Sequence, residues 1–281
     1  MAARLGDNSY GKSRVRLFRV TRDGERHDVS DLTVDVAFDG RFEAVHLEGD
    51  NAAVLPTDTM RNTVYALAKQ HPVEPVEGFG RALVEHFLAA STEAEQVRIR
   101  IAKHGWARIE AGGEPHPHSF VRASGERRMA WVSGAREAVR YEAGVEEMEV
   151  LKTTRSAFEG YIKDEYTTLP ETKDRIFATV VSARWGYERE PGDFDAAFDA
   201  VRGALLATFA GHDSKSVQQT LFAMGAAALE AVPEVSEIRL SLPNRHHLLF
   251  DIGRFGLENR NEVFVPTSDP YGLIEATIVR E

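Results

Sequence analysis

Two hydrophobic rhythms run along this chain. Residues 14–22 (RVRLFRVTR) and 31–38 (DLTVDVAF) are rich in Val and partly alternate apolar with polar, the period-two pattern of strands. Residues 57–70 (TDTMRNTVYALAKQ) shift to a helical spacing, with Thr57 and Asp58 as candidate caps at the start. A second helix is predicted over 77–90, where Phe79, Leu83, Phe87 and Leu88 recur near every 3.6 residues. Alternating stretches at 97–110 and 118–134 follow, joined by the turn-rich EAGGEPHPH.

The second half repeats the plan. Strands are predicted at 147–154 and 175–188, helices at 193–209 and 215–231, and closing strands at 235–252 and 262–280. Phe194, Phe198, Val201 and Leu205 form one stripe on the first of these helices. Strands and helices do not alternate one for one, which argues against a doubly wound parallel sheet. The order ββααββ, twice, predicts an α+β protein with antiparallel sheets and a helix pair on one face of each. The join falls in the glycine-flanked stretch 134–144, dividing the chain into domains 1–137 and 138–281. A sheet covered on one face leaves the other to be buried, so self-association is expected.

Composition narrows the chemistry. The formal net charge of −10 disfavours the bulk basic surface that drives non-specific nucleic-acid binding. The absence of cysteine excludes disulfides, thiolate nucleophiles, iron–sulfur clusters and Cys-ligated zinc. No apolar run approaches the roughly 20 residues of a membrane span. The segment MAARLGDNSYGKSR lacks a secretory apolar core, and IVRE at the end is not an SKL-type address, so a cytoplasmic location is expected.

Four motifs are decoys. Gly6 to Ser13 (GDNSYGKS) spells a phosphate-binding loop, but only MAARL precedes it and a strand pattern, not a helix, follows. HLLFD, ending at Asp251, sits inside another strand pattern. His116-Pro117-His118 has a chelating spacing but reads as a polar hairpin tip. His246 and His247, adjacent on a strand, point to opposite faces and do not easily share an ion. No metal site is expected.

Four clusters remain: Tyr10-Gly11-Lys12; LPTDTMRNTVYAL from Leu55; Leu151-Lys152-Thr153-Thr154 through DEYTTLPET to Asp174-Arg175; and SLPNRHH from Ser241, with DPYGLIEATI closing the chain. Together, in this order and over nearly the whole length, they resemble the urate oxidase (uricase) family. The resemblance implies two tandem tunnelling-fold (T-fold) domains per chain, which agrees with the repeat read above. It further implies a homotetramer enclosing a barrel-like tunnel, with active sites shared between subunits, acting on urate and dioxygen without metal, flavin or haem.

Residue by residue, Lys12 and Thr57 match the family's catalytic pair, and His246 its catalytic histidine from the neighbouring chain. Phe158 matches the aromatic that stacks on the purine, and Arg175 and Gln218 the side chains that clamp its edge. Asp58 and Val217 match positions that contribute backbone amides, and Asn244 the amide near the oxygen or water site. Arg61 and Arg245 stand where many members have lysine, keeping the charge. Each residue alone has a blander reading, as a cap, core aromatic, solvated charge or turn; the joint pattern carries the assignment. A purine- or pterin-binding module that has lost oxidation, a zinc-dependent T-fold pterin enzyme and a P-loop NTPase are the rival readings.

Overall fold

The computed structural model describes residues 3–136 and 138–281; the expected domain boundary at Glu137 lies outside the described residues. The chain divides into two compact units, Met1–Gly144 and Val145–Glu281.

In the first unit, β1 (Ser9–Asp23) and β2 (Arg26–Gly40) form an antiparallel hairpin. The chain then passes through a short helix α1 (Glu43–Leu47) and the longer α2 (Thr57–Gln70) and α3 (Val76–Ala90). It returns as β3 (Ala94–Ala111), antiparallel to β2, and β4 (Glu114–Ala135), antiparallel to β3. Alternation puts Leu32, Val34, Val36 and Phe38 of β2 and Val97, Ile99 and Ile101 of β3 inside, where Met60, Val64, Phe79, Leu83 and Phe87 of the helices are also buried. Each such side chain contributes about 1.5–3 kcal/mol on burial. Leu88, predicted on the same stripe, is only partly covered.

The alternate positions are polar. Arg98 makes two hydrogen bonds to Asp39 (2.6 and 2.8 Å), and Arg100 pairs with Asp35 at 3.2 Å. The buried carboxylate of Asp31 is held by Arg16, by Arg122 at 3.1 Å and by the Trp106 indole N–H at 3.1 Å. Removing one partner would leave part of that charge uncompensated, which is why it is held so fully.

In the second unit the sheet order is β5 (Ala138–Lys152), β6 (Phe177–Tyr187), β7 (Val235–Leu249) and β8 (Phe264–Val279), with β5 crossing the unit boundary. β6–β7 and β7–β8 are antiparallel. Helices α4 (Phe194–Gly211) and α5 (Val217–Ala231) link β6 to β7. The predicted stripe Phe194, Phe198, Val201 and Leu205 is buried, as are Leu221 and Met224 of α5 and Val181, Trp185, Ile238, Leu240 and Leu242 of the sheet. Asp193 caps α4 by accepting from Asp195 N–H (2.8 Å) and Ala196 N–H (3.0 Å). At the far end of α5, the Arg280 guanidinium donates to the carbonyls of Leu229, Val232 (3.1 Å) and Val235 (3.0 Å).

The structure corrects two expectations. α2 is capped by Pro56 with no side-chain acceptor, so Thr57 and Asp58 do not cap it. The Asp58 carboxylate instead pairs with Arg61 at 2.8 Å and accepts from Asn62 at 3.0 Å, one turn along the helix. His116 and His118 lie on β4, their rings 4.5 Å apart, and the hairpin turns at Gly112-Gly113, both at positive φ. The phosphate-loop string runs into β1, as its strand pattern predicted. Among the described residues no helix is long and apolar enough to cross a membrane, and no group of three or more His, Cys, Asp or Glu could hold a metal ion.

Candidate active site

β1 contains an irregularity where the predicted lysine sits. Lys12 pairs with Val36, but the next pair in register is Val15 with Val34, one residue extra on β1. Arg14 takes up the slack at φ 59°, its N–H donating to Asp35 Oδ1 at 2.6 Å. A bulge of this kind bends a strand and re-aims the neighbouring side chain. Gly11 lies so close to β2 that a Cβ there would fall 1.9 Å from the Val36 carbonyl oxygen.

Two hydrogen bonds hold α2 and the segment before it to this strand. Leu55 N–H donates to the Tyr10 hydroxyl at 3.0 Å, and the Tyr65 hydroxyl donates to the Arg16 carbonyl at 2.9 Å. They bracket Lys12 along the strand and Thr57 along the segment leading into the helix. Burial raises the Tyr10 pKa, so its hydroxyl stays protonated. Thr57 and Asp58 open α2, where backbone N–H groups have no intrahelical acceptor.

The second unit gathers the other half of the predicted set. After β5 the backbone leaves the regular sheet and is tied by bridges from Ser156 to Ser214 and from Phe158 to Thr172. Arg175 N–H donates to the Ser156 carbonyl at 2.8 Å. Asp174 accepts from the Thr154 hydroxyl at 2.8 Å, and that bond holds its carboxyl below the usual range. The Phe158 ring lies in parallel contact with Tyr161, centroids 4.8 Å apart and planes 14° apart. The Arg175 guanidinium sits 5.3 Å from the Phe158 ring centre. Burial lowers the Arg175 pKa from its very high normal value, leaving a partly desolvated cation.

On β7 the register slips between Asn244 and His246, whose β8 partners are Gly272 and Thr267. A cavity of about 410 Å³ opens beside this slip, within the size range of small-molecule sites. Phe158, Arg175, Asn244 and His246 all line it, with Leu169 and Leu248 among its apolar walls.

Val217 and Gln218 are not among its lining residues; they form the first turn of α5. The Val217 side chain is buried, so it can offer a ligand only its backbone, while Gln218 is exposed. The Ser216 side chain caps Gln219 N–H at 3.1 Å, and the N–H groups of Val217 and Gln218 remain at the open helix end. The geometry therefore shows four predicted residues in one cavity, two at the α5 terminus, and Lys12, Thr57 and Asp58 at the β1–α2 contact of the first unit. Tyr161 was not singled out from the sequence.

Comparison with known proteins covers both units. The sequence profile of the uricase family matches residues 8–133 and 141–275. The chain belongs to the uricase family. It is 47% identical to the uricase of Arthrobacter globiformis over 99% of this chain and 90% of that protein. It is 37% identical to the uricase of Oryctolagus cuniculus over 97% of this chain and 93% of that one. The crystal structure of the Arthrobacter globiformis uricase superimposes with a TM-score of 0.95, covering 100% of this chain and 96% of the other at 46% identity. Family membership thus rests on sequence and fold alike, and the profile's two matched stretches flank the link between β4 and β5.

Proposed function

We propose that this uricase-family chain oxidises urate with dioxygen and water to 5-hydroxyisourate and hydrogen peroxide, with no metal, flavin or haem. The observation that carries the reading is the convergence of Phe158, Arg175, Asn244 and His246 on one cavity of the second unit. In the proposed assembly the chain comprises two tandem T-fold domains, 1–137 and 138–281, and four chains form a cytoplasmic homotetramer around a tunnel. Each active site combines Lys12 and Thr57 of one subunit with the cavity of its neighbour. Leu248, Leu249, Val263, Val265 and Leu273, all exposed on or beside β7 and β8, support a covered surface there.

The residues suit the chemistry. Urate is flat, anionic and electron-rich. Phe158, backed on one side by Tyr161, offers a ring face for stacking, worth about 0.5–1.5 kcal/mol beyond burial. The Arg175 fork donates to a carbonyl and a ring nitrogen and favours anionic states. Gln218 can donate to a carbonyl and accept from a ring N–H, and the main-chain amides of Val217 and Asp58 supply further donors. A wrong ring would leave these groups unpaired, the stronger form of discrimination.

Proton removal falls to Thr57, whose hydroxyl passes the proton to Lys12. The urate dianion then gives two electrons to dioxygen, and the peroxide so formed takes up the proton carried by Lys12 and one from solvent and leaves as hydrogen peroxide. Water, held by Asn244 and His246, adds at C5, with His246 exchanging its proton. The deciding assay follows urate loss and peroxide formation together, using enzyme exhaustively treated with chelator. Stoichiometric peroxide is expected. Activity lost on chelation and restored by a metal would overturn the cofactor-free reading, and urate binding without consumption would leave a binding module.

A further inference from the structure

The turn between α4 and α5 contains a buried chain of hydrogen bonds that the proposed mechanism does not use. His212 Nδ1 lies 3.0 Å from Thr220 Oγ1, Thr220 Oγ1 lies 2.7 Å from Ser214 Oγ, and Ser214 Oγ lies 3.1 Å from the Ser216 carbonyl. Ser214 is 1% exposed and Thr220 fully buried, so water does not substitute for these partners.

The Ser216 carbonyl only accepts, and both hydroxyls reach it, Ser214 at 3.1 Å and Thr220 at 3.4 Å; with Ser214 donating there and Thr220 donating to Ser214 at the shorter 2.7 Å contact, His212 Nδ1 faces the remaining lone pair of Thr220. Burial, reinforced by the nearby Lys152 cation, lowers the His212 pKa and favours the neutral ring. The His212 carbonyl in turn accepts from Lys152 Nζ at 2.7 Å.

Ser214 joins two parts of the candidate site. Its carbonyl accepts from Ala157 N–H at 2.7 Å and its N–H donates to Arg155 O at 3.0 Å, which fixes the segment carrying Phe158. Its side chain leads into Ser216, the cap of the helix that begins with Val217 and Gln218. Apolar packing holds α5 against the sheet, and directional hydrogen bonds centred on the buried Ser214 and Thr220 hydroxyls add a fixed register to that contact.

We propose that Ser214, Thr220 and His212 are positioning residues that set the distance between the Phe158 ring and the start of α5, and so determine how well a flat purine is gripped between them. The inference rests on the urate-oxidase reading for the ligand class. It predicts that cutting the chain weakens binding of any ligand spanning the two parts, because a misplacement well under an ångström matters at such contacts.

The test compares Thr220→Val, which keeps shape but removes the hydroxyl, with Thr220→Ser, which restores it, and with Ser214→Ala. Steady-state urate kinetics are measured alongside the Kd for xanthine, which shares the purine-2,6-dione edge but lacks the 8-oxo group, and the thermal midpoint. In Thr220→Val, KM for urate and Kd for xanthine are expected to rise in parallel, on the order of tenfold, with kcat changing less. Thr220→Ser is expected to bring both back. A lower thermal midpoint with unchanged KM and xanthine Kd would overturn the proposal, leaving the chain a support for the fold alone. Should Thr220→Val not fold, Ser214→Ala carries the same comparison, since its main-chain bonds to Arg155 and Ala157 survive. Wild-type protein that binds xanthine but consumes no urate would strike the oxidase reading and leave this one standing.

Discussion

Lys12 is where local geometry and proposed chemistry meet. The extra residue between it and Val15 aims its side chain differently from the regular alternation on either side, and Tyr10 and Tyr65 tie that stretch of strand to α2. Lys12→Met keeps the length of the stem and removes the base. It is expected to lower kcat by orders of magnitude while leaving xanthine affinity near wild type, measured by stopped-time urate assays and by calorimetry. Unchanged turnover would remove Lys12 from the relay. The lysine was legible in the sequence only through its motif, because an isolated lysine on a strand is ordinarily a solvated charge. Thr57 was legible for the wrong local reason. A cap was expected from Thr57-Asp58, but Pro56 already supplies the fixed φ at the helix entry, and Asp58 finds cations and amides one turn ahead.

At the scale of elements, the helices were the clearest. Residues 57–70 and the stripe of α4 follow helical spacing because their buried faces pack against a single surface. β5 was harder: the strand was expected from 147 but begins at Ala138. Tyr141, Ala143 and Val145 alternate inward, Glu147 takes φ 60°, and the next buried residue is Met148, so the period breaks in mid-strand. Close backbone approach is likewise invisible to a pattern reading until the partner strand is known. Gly11→Ala would place a methyl group 1.9 Å from the Val36 oxygen, a clash with backbone that no side-chain rotation relieves. It is expected to destabilise the first unit by about 1–3 kcal/mol in denaturant titration, and to lower kcat through the displaced Lys12.

For the whole molecule, the decisive property is which chains build one site. In the proposed assembly Lys12 and Thr57 come from one subunit and Arg175 and His246 from another, and Lys12→Met and His246→Ala are then expected to be inactive alone. Co-refolded in equal amounts they should recover roughly a quarter of wild-type activity, since half of each contribution remains intact. No recovery in tetramers shown to be mixed would mean that each site is built from one chain. The sequence by itself determined the α+β class, the doubled ββααββ order, the four long helices and the family, because each depends on periodicity or on side-chain identities at fixed spacing; the five-residue α1 is too short to show a period. Tertiary structure decided what depends on distance in space: the slip beside Asn244 and His246, the Phe158–Tyr161 stack, and the buried chain from His212 to Ser216. Those contacts join residues whose partners lie on other elements, and no local pattern along the chain encodes how far apart two elements settle once their cores have packed.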